Sequence, residues 1–177
     1  KDHPISTARL KNCTKRAAEL AGWGRELPKG KGLGIACYRS FNGYAANVVE
    51  VSVSKAGEVT IDKAWVVIDA GMVINPDRVK SQMEGSAIFG ASIALHGEIS
   101  AKDGVVEQTN FDTYKLARMA DGPKEITVEI VESEELPGGV GETGTPPFAP
   151  AVANAVFAAT GKRVRRLPLS GHDLSWS

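Results

Sequence analysis

The chain has 177 residues, 42% of them hydrophobic and 24% charged, and its 21 lysines and arginines are balanced by 21 aspartates and glutamates. That balance leaves no electrostatic footprint for nucleic acid or for an anionic membrane surface, and no apolar run is long enough to span a bilayer core of about 30 Å. Residues 1–177 are expected to form a single domain, because a chain of this size buries roughly 70% of the surface its unfolded form exposes. Cys13 and Cys37 lie 24 apart, with no Cys-x-x-Cys and no histidine at ligand spacing. They therefore suggest neither a zinc site nor a disulfide framework, and both read as buried or inert thiols. The chain opens on Lys1 without an apolar signal region or an initiator methionine, which reads as a fragment or a processed product.

Residues 1–25 read as a helical lead-in. Ala8, Leu10, Ala17, Leu20 and Ala21 recur among basic residues, and Gly22 and Gly24 stop the helix. After the turn "RELPKGKG", the stretches "LGIACY" and "YAANVVEVSVS" are strand-like, with Val49, Val51 and Val53 alternating with Glu50, Ser52 and Ser54. "KAGE" closes a hairpin onto "VTIDKAWVVID", whose apolar end predicts a strand inside the sheet. A long helix comes next over about 76–96, with Asn75 as N-cap, Pro76 at its first position, Asp77 at the positive end of the dipole and Gly97 beyond the far end. Val79, Met83, Ala87, Ala91 and Leu95 make its buried stripe. Gly85 and Gly90 each cost about 1 kcal/mol in a helix interior, so another backbone or a ligand is expected against them. Beyond it lie a hairpin around Asp103-Gly104, a polar turn and a strand carrying Ile126, Val128 and Ile130. A short C-terminal helix is expected over about 147–160, with "VRRLPL" after it as a last strand or an extended tail. Runs of strands with few helices predict an α+β domain with a mainly antiparallel sheet.

The loop "PGGVGETGTPP", residues 137–147, carries the chemistry. Gly139, Gly141 and Gly144 spell the dinucleotide fingerprint G-x-G-x-x-G, but that reading fails on three counts. Pro146 and Pro147 have no N–H to offer a pyrophosphate, no ribose-binding acid lies downstream, and Glu142 would aim a negative charge at a phosphate. A plain structural loop remains open on residue physics alone. The alternative is that the glycines give close access to Glu142 while Pro146, Pro147 and Pro150 stiffen the segment after it, presenting a general base near a helix start. His96 reads as a dipole partner at its helix end, and His3 and His172 have no companion ligands. Trp23, Trp65 and Trp176 are too scattered to form a stacking platform, with Trp65 expected in the core. "GKRVRR" reads as a solvated face or a subunit contact.

"GGVGETGTPPFAPAVANAVFAATGKRVRRLPL" resembles the carboxy-terminal segment of the molybdopterin-binding subunit of molybdenum hydroxylases of the xanthine dehydrogenase family. The likeness is strongest to the isoquinoline 1-oxidoreductase and aldehyde oxidoreductase branch. It extends back through "DAGMVINPDRVKSQMEGSAIFGASIALHGEI" and "GVVEQTNFDTYKLARM" to "KGKGLGIACYRSFNGYAANVVEVSV", covering about residues 20–170 in the family's order. The resemblance implies that Glu142 is the catalytic base. It would take the proton of a molybdenum-bound hydroxyl that attacks an electron-poor carbon, while hydride leaves for a sulfido ligand and water supplies the oxygen. It also implies that Gln82, in "QMEG", and Gly141 contact the cofactor. That cofactor would be molybdopterin, in its cytosine dinucleotide form, carrying molybdenum. No protein side chain is expected as a metal ligand.

Two departures from the family pattern stand out. Thr143 replaces the proline that usually comes after the loop glutamate, which predicts a looser loop. The family's upstream cofactor loops have no counterpart, so the chain is expected to be part of a larger subunit and to bind no cofactor alone. The implied partners are the rest of the large subunit, a small subunit with two [2Fe–2S] clusters, and a small-molecule substrate, either an aldehyde or a nitrogen heterocycle. The resemblance leaves cytoplasm and periplasm both open. The competing expectation is a noncatalytic interaction or assembly domain that shares the fold.

Overall fold

Val48 and Val49 are both fully buried although they point to opposite faces of one strand. That pair explains the architecture of this computed structural model, which describes residues 4–177. Four strands form one sheet: β1 (Lys31–Ser40), β2 (Gly43–Val53), β3 (Val59–Asp69) and, after a hairpin of β4 (Ala101–Lys102) with β5 (Val105–Val106), β6 (Glu125–Ile130). Their order is β1-β2-β3-β6. The first three pair antiparallel, as expected, and β3 pairs parallel to β6 from Lys63↔Glu125 to Ile68↔Ile130. Helix α2 (Pro76–Leu95) and the small hairpin carry the chain between those two parallel strands, the crossover that parallel pairing requires.

Helix α1 (Thr7–Leu20) covers one face. Its Cys13 and Ala17 pack with Tyr44, Ala46, Val48 and Val67. On the other face, Val49, Val51, Val53, Val66 and Ile68 meet α2 and α3 (Phe148–Thr160). The alternation at residues 49–54 therefore does not mark a wet face. Glu50 is itself buried, held by Arg25 and by Lys31, whose Nζ lies 3.6 Å from its Oε1. Of the two thiols read as buried or inert, Cys13 is fully buried and Cys37 is exposed.

The Asn75 cap and the Asp103-Gly104 turn act as read, and Ser6, to which the sequence reading gave no capping role, caps α1 in the same manner. The Ser6 side chain accepts from the Arg9 amide at 3.3 Å, and Asn75 accepts from the Arg78 amide at 3.1 Å, each filling one of the N–H groups a helix start leaves open. The amides of His96 and Gly97 both return to the Ser92 carbonyl. Asp103 and Gly104 have φ of 51° and 77°, as a tight hairpin turn demands. The stripe from Val79 to Leu95 is buried as expected.

The glycines of β1 seat α3. A Cβ on Gly34 would lie 2.0 Å from the Ala151 carbonyl oxygen, and one on Gly32 would lie 2.3 Å from that of Ala155. The helix therefore rests directly on the strand backbone. Gly90 receives the Phe148 side chain of α3 in the same way, whereas nothing lies within 4 Å of a Cβ on Gly85. The tail after α3 forms no strand and contains a 3-10 turn at Leu169–Gly171, and Trp176 donates from Nε1 to the Val53 carbonyl at 2.9 Å. Among the described residues, no helix is long and apolar enough to cross a membrane.

Candidate functional site

The loop at residues 137–147 is gripped by segments far from it in sequence. The amides of Gly138 and Gly139 donate to the carbonyls of Ala70 and Phe41, both at 2.7 Å. A Cβ on Gly138 would meet the backbone of Asn42 and Gly43 at 2.8 Å, and one on Gly139 would meet the Phe41 side chain at 2.7 Å. The Gly144 carbonyl accepts from Asn47 Nδ2 at 2.8 Å, and a Cβ there would lie 2.2 Å from Ser86 Oγ on α2. Three of these four glycines thus admit the protein's own backbone and side chains, not a ligand as the spacing suggested. Gly141 is the open one, with only Gln82 Nε2 near at 3.9 Å.

Thr143 does not loosen the loop. It is fully buried, and its hydroxyl donates to the Gly139 carbonyl at 2.7 Å, closing the loop on itself. The Thr145 amide then donates to the Glu142 carbonyl at 2.8 Å, and the Phe148 amide to the Thr145 carbonyl at 3.1 Å, a turn that leads straight into α3.

Glu142 is exposed at the rim of a cleft of about 340 Å³. One wall is α2, through Gln82, Gly85 and Phe89. The other is the loop, through Gly141, Glu142 and Pro146. Gln82 Nε2 donates to the Gly141 carbonyl at 3.2 Å, so the two walls are tied beside the carboxylate. The structure therefore brings Glu142, Gln82 and Gly141 together at one place. Among the described residues, Glu142 is the only ionisable one lining the cleft. The arrangement can accept a proton at the carboxylate and offer neutral amide donors and acceptors next to it.

Two positioning elements escaped the sequence reading. Asn47 is the fully buried polar residue on β2 that holds Gly144. Its signal was a lone amide in the apolar run "YAANVV", since a buried polar group must find a partner. Arg9 and Asp69 form the second. Arg9 Nε and Nη2 donate to the two Asp69 oxygens at 2.8 and 2.6 Å, and Asp69 Oδ1 accepts from the Gly71 amide at 3.1 Å. This fixes the β3 terminus at the Ala70 carbonyl, on which the loop hangs. Burial resists ionisation of Asp69, but the Arg9 and Gly71 hydrogen bonds outweigh it and hold its carboxyl below the ordinary range.

The remaining candidates lie elsewhere. His96 sits at the end of α2 with Nε2 3.4 Å from an Asp121 oxygen, and His172 Nε2 contacts the Arg166 carbonyl at 2.7 Å. His3 lies outside the described residues. The described residues contain no cluster of histidine, cysteine, aspartate and glutamate able to hold a metal ion. Trp65 is half-buried, with the Arg25 guanidinium 5.6 Å from its ring centre. Lys162, Arg163 and Arg166 of the basic cluster pair separately with Asp173, Asn154 and Glu98.

Residues 20–123 match the molybdopterin cofactor-binding domain family, a span that includes Gln82 and stops short of the loop. The chain is 35% identical to isoquinoline 1-oxidoreductase subunit beta of Brevundimonas diminuta, over 88% of its own length and 20% of that relative's. It is 36% identical to a Gluconacetobacter polyoxogenes protein named membrane-bound aldehyde dehydrogenase (pyrroloquinoline-quinone), over 90% of the chain and 21% of the relative. Among solved structures, the aldehyde oxidoreductase of Desulfovibrio desulfuricans superposes with a TM-score of 0.61 at 28% identity, over 72% of this chain and 14% of that one. The chain thus spans about a fifth of the length of the curated relatives it matches.

Proposed function

Because this chain belongs to the molybdopterin cofactor-binding family, we propose that it forms the carboxy-terminal part of the large subunit of a molybdenum hydroxylase, with Glu142 as the base and Gln82 and Gly141 as cofactor contacts. The observation that carries the proposal is the meeting of Gln82 and Glu142 on the two walls of one cleft, linked by the Gln82 to Gly141 hydrogen bond. Gly85 supports it, because it leaves the α2 wall open where a side chain would otherwise project. Neutral amides beside a carboxylate suit the edge of a pterin. Among the described residues no cationic side chain lines the cleft, so the anionic end of the cofactor, proposed as the cytosine dinucleotide form, would be held by the rest of the subunit. The fit is therefore to one wall of the group, and the isolated chain is expected to bind none.

When bound, the molybdenum–pterin group supplies the two-electron redox step, with water as the oxygen source. Glu142 accepts the proton released as the oxygen nucleophile attacks the substrate, an aldehyde or an electron-poor ring carbon of a nitrogen heterocycle. Gln82 presents its amide to the pterin edge, and its donation to Gly141 fixes that orientation. Thr143, Asn47 and the Arg9–Asp69 pair keep the backbone under Glu142 in place, the kind of preorganisation that proton transfer needs. A small subunit with two [2Fe–2S] clusters would carry the electrons away.

In the complete enzyme, Glu142→Gln should retain molybdenum, measured by elemental analysis, and lose turnover by about 10²-fold or more, the usual contribution of a positioned acid–base group. Near-normal turnover of that variant would sink the assignment. Wild-type enzyme that is fully active without molybdenum and carries a quinone instead would favour the cofactor in the name of the Gluconacetobacter relative.

A further inference from the structure

Helix α1 has two flanks of different character. Toward β3 and β6 its cations are satisfied, Arg9 by Asp69 and Arg16 by Glu129. Toward β1 it presents Leu10, Lys11, Thr14 and Lys15, and none of the ion pairs among the described residues involves Lys11 or Lys15. Between that flank and β1 lies a groove of about 500 Å³, whose apolar lining includes Leu10, Ile35, Cys37 and Trp23, the last 47% exposed. The opposite face of the same sheet carries two helices, α2 and α3, while this face carries α1 alone. The apolar face of β1 beside α1 is left open at Cys37, and Leu33 and Ile35 are only half-buried.

We propose that this groove seats an amphipathic helix from the remainder of the large subunit, its apolar stripe on Ile35, Cys37 and Trp23 and its acidic flank against Lys11 and Lys15. The proposal rests on the reading of the chain as part of that subunit, whose relatives are about five times as long. Two observations select this occupant. A strand added to the edge of β1 is disfavoured, because the outward carbonyl of Ile35 already accepts from Asn154 Nδ2 at 3.1 Å. A second copy of the chain is disfavoured, because a two-fold contact would bring Lys11 and Lys15 against their own counterparts.

The test begins with the 177-residue chain and a helical peptide of about 18 residues, long enough to run beside α1, carrying leucines on one face and glutamates on both flanks. Ellman's reagent reports on Cys37 alone, since Cys13 is fully buried and burial pushes its thiol up to about 12. The glutamate peptide should slow the Cys37 reaction at least ~10-fold and shift the tryptophan emission of the wild-type chain but not of a Trp23→Phe variant, and a lysine-flanked version should do neither. Lys11→Glu with Lys15→Glu should reverse that preference. In the complete large subunit, before any small subunit is added, Cys37 should already be unreactive.

Equal effects of the two peptides would overturn the proposal. So would slowed hydrogen exchange at the Leu33 and Cys37 amides, which marks an added strand, or a self-associated chain whose Cys37 is protected without peptide. Cys37 that stays reactive in the complete subunit, or falls silent only when the small subunit binds, would overturn it as well. The peptide arm needs neither molybdenum nor Glu142, so its outcome stands apart from the turnover of Glu142→Gln.

Discussion

Gly34→Ala measures how tightly α3 is seated on the sheet. The added methyl would lie 2.0 Å from the Ala151 carbonyl oxygen and 2.2 Å from the Ala155 nitrogen, against an ordinary contact of 3.4 Å or more. Both obstacles are helix backbone, so no side chain can swing aside. Alanine reduces the entropy of the unfolded chain and favours folding by about 0.4–1 kcal/mol. Overpacking costs about 1–3 kcal/mol, and a clash that only moving a helix can relieve belongs at the upper end. The clash wins by about 2 kcal/mol, which for a chain of this size lowers Tm by roughly 4–8 °C. Thermal unfolding followed by far-UV circular dichroism reads this directly, with Gly171→Ala as the control because nothing lies within 4 Å of its added methyl. The control should stay within about 0.5 kcal/mol of wild type. Gly34→Ala melting within about 1 °C of wild type would refute direct seating of α3 on β1, since the expected shift is several-fold larger.

Arg9→Met leaves Asp69 buried without its cation, a loss of about 3–5 kcal/mol near neutral pH by urea denaturation. The folded-state Asp69 carboxyl lies below its ordinary value of 3.8. The stabilisation is therefore full above about pH 4 and disappears as pH falls through the lowered value. The Arg9→Met deficit should shrink over that acid range, and a deficit of constant size down to about pH 2 would contradict the pairing. Thr143→Val keeps the shape but removes the donor to Gly139, and should cost about 1–2 kcal/mol with an unchanged denaturant slope. No change in midpoint would mean the hydroxyl does not hold the loop. Gly144→Ala should destabilise by about 1–3 kcal/mol and by less in a Ser86→Ala background, where the oxygen 2.2 Å from the new methyl is gone. Strict additivity of the two substitutions would remove Ser86 as the obstacle.

What the sequence revealed was local. The cap at Asn75, the Asp103-Gly104 turn and the stripe on α2 are each set within a few residues, and each formed where its signal lay. The cleft was legible in part, because the likeness to molybdenum hydroxylases named Glu142, Gln82 and Gly141 and the fold brings them together. The rest depended on partners far along the chain. The burial of Glu50 was not legible, because neither Arg25 nor Lys31, which hold it, is its sequence neighbour. Gly138, Gly139 and Gly144 looked like access for a ligand because Asn42, Phe41 and Ser86, which fill that space, are remote in sequence. Thr143 looked like a loosened proline because nothing nearby shows that its hydroxyl is enclosed. Spacing identifies which residues need unusual room, and only the tertiary fold identifies what takes it.

The grip on residues 137–147 also governs the thermodynamics of anything that enters the cleft. Ordering a free loop of this length at the moment of binding would cost about 1–2 kcal/mol per residue in backbone entropy. Here that entropy is already lost on folding, through bonds to Phe41, Asn47, Ala70 and Gln82. On the loop wall a ligand has chiefly the Glu142 side chain left to immobilise, about 1.5–2 kcal/mol. Affinity at this wall is therefore set by contact chemistry, with almost no conformational penalty to overcome.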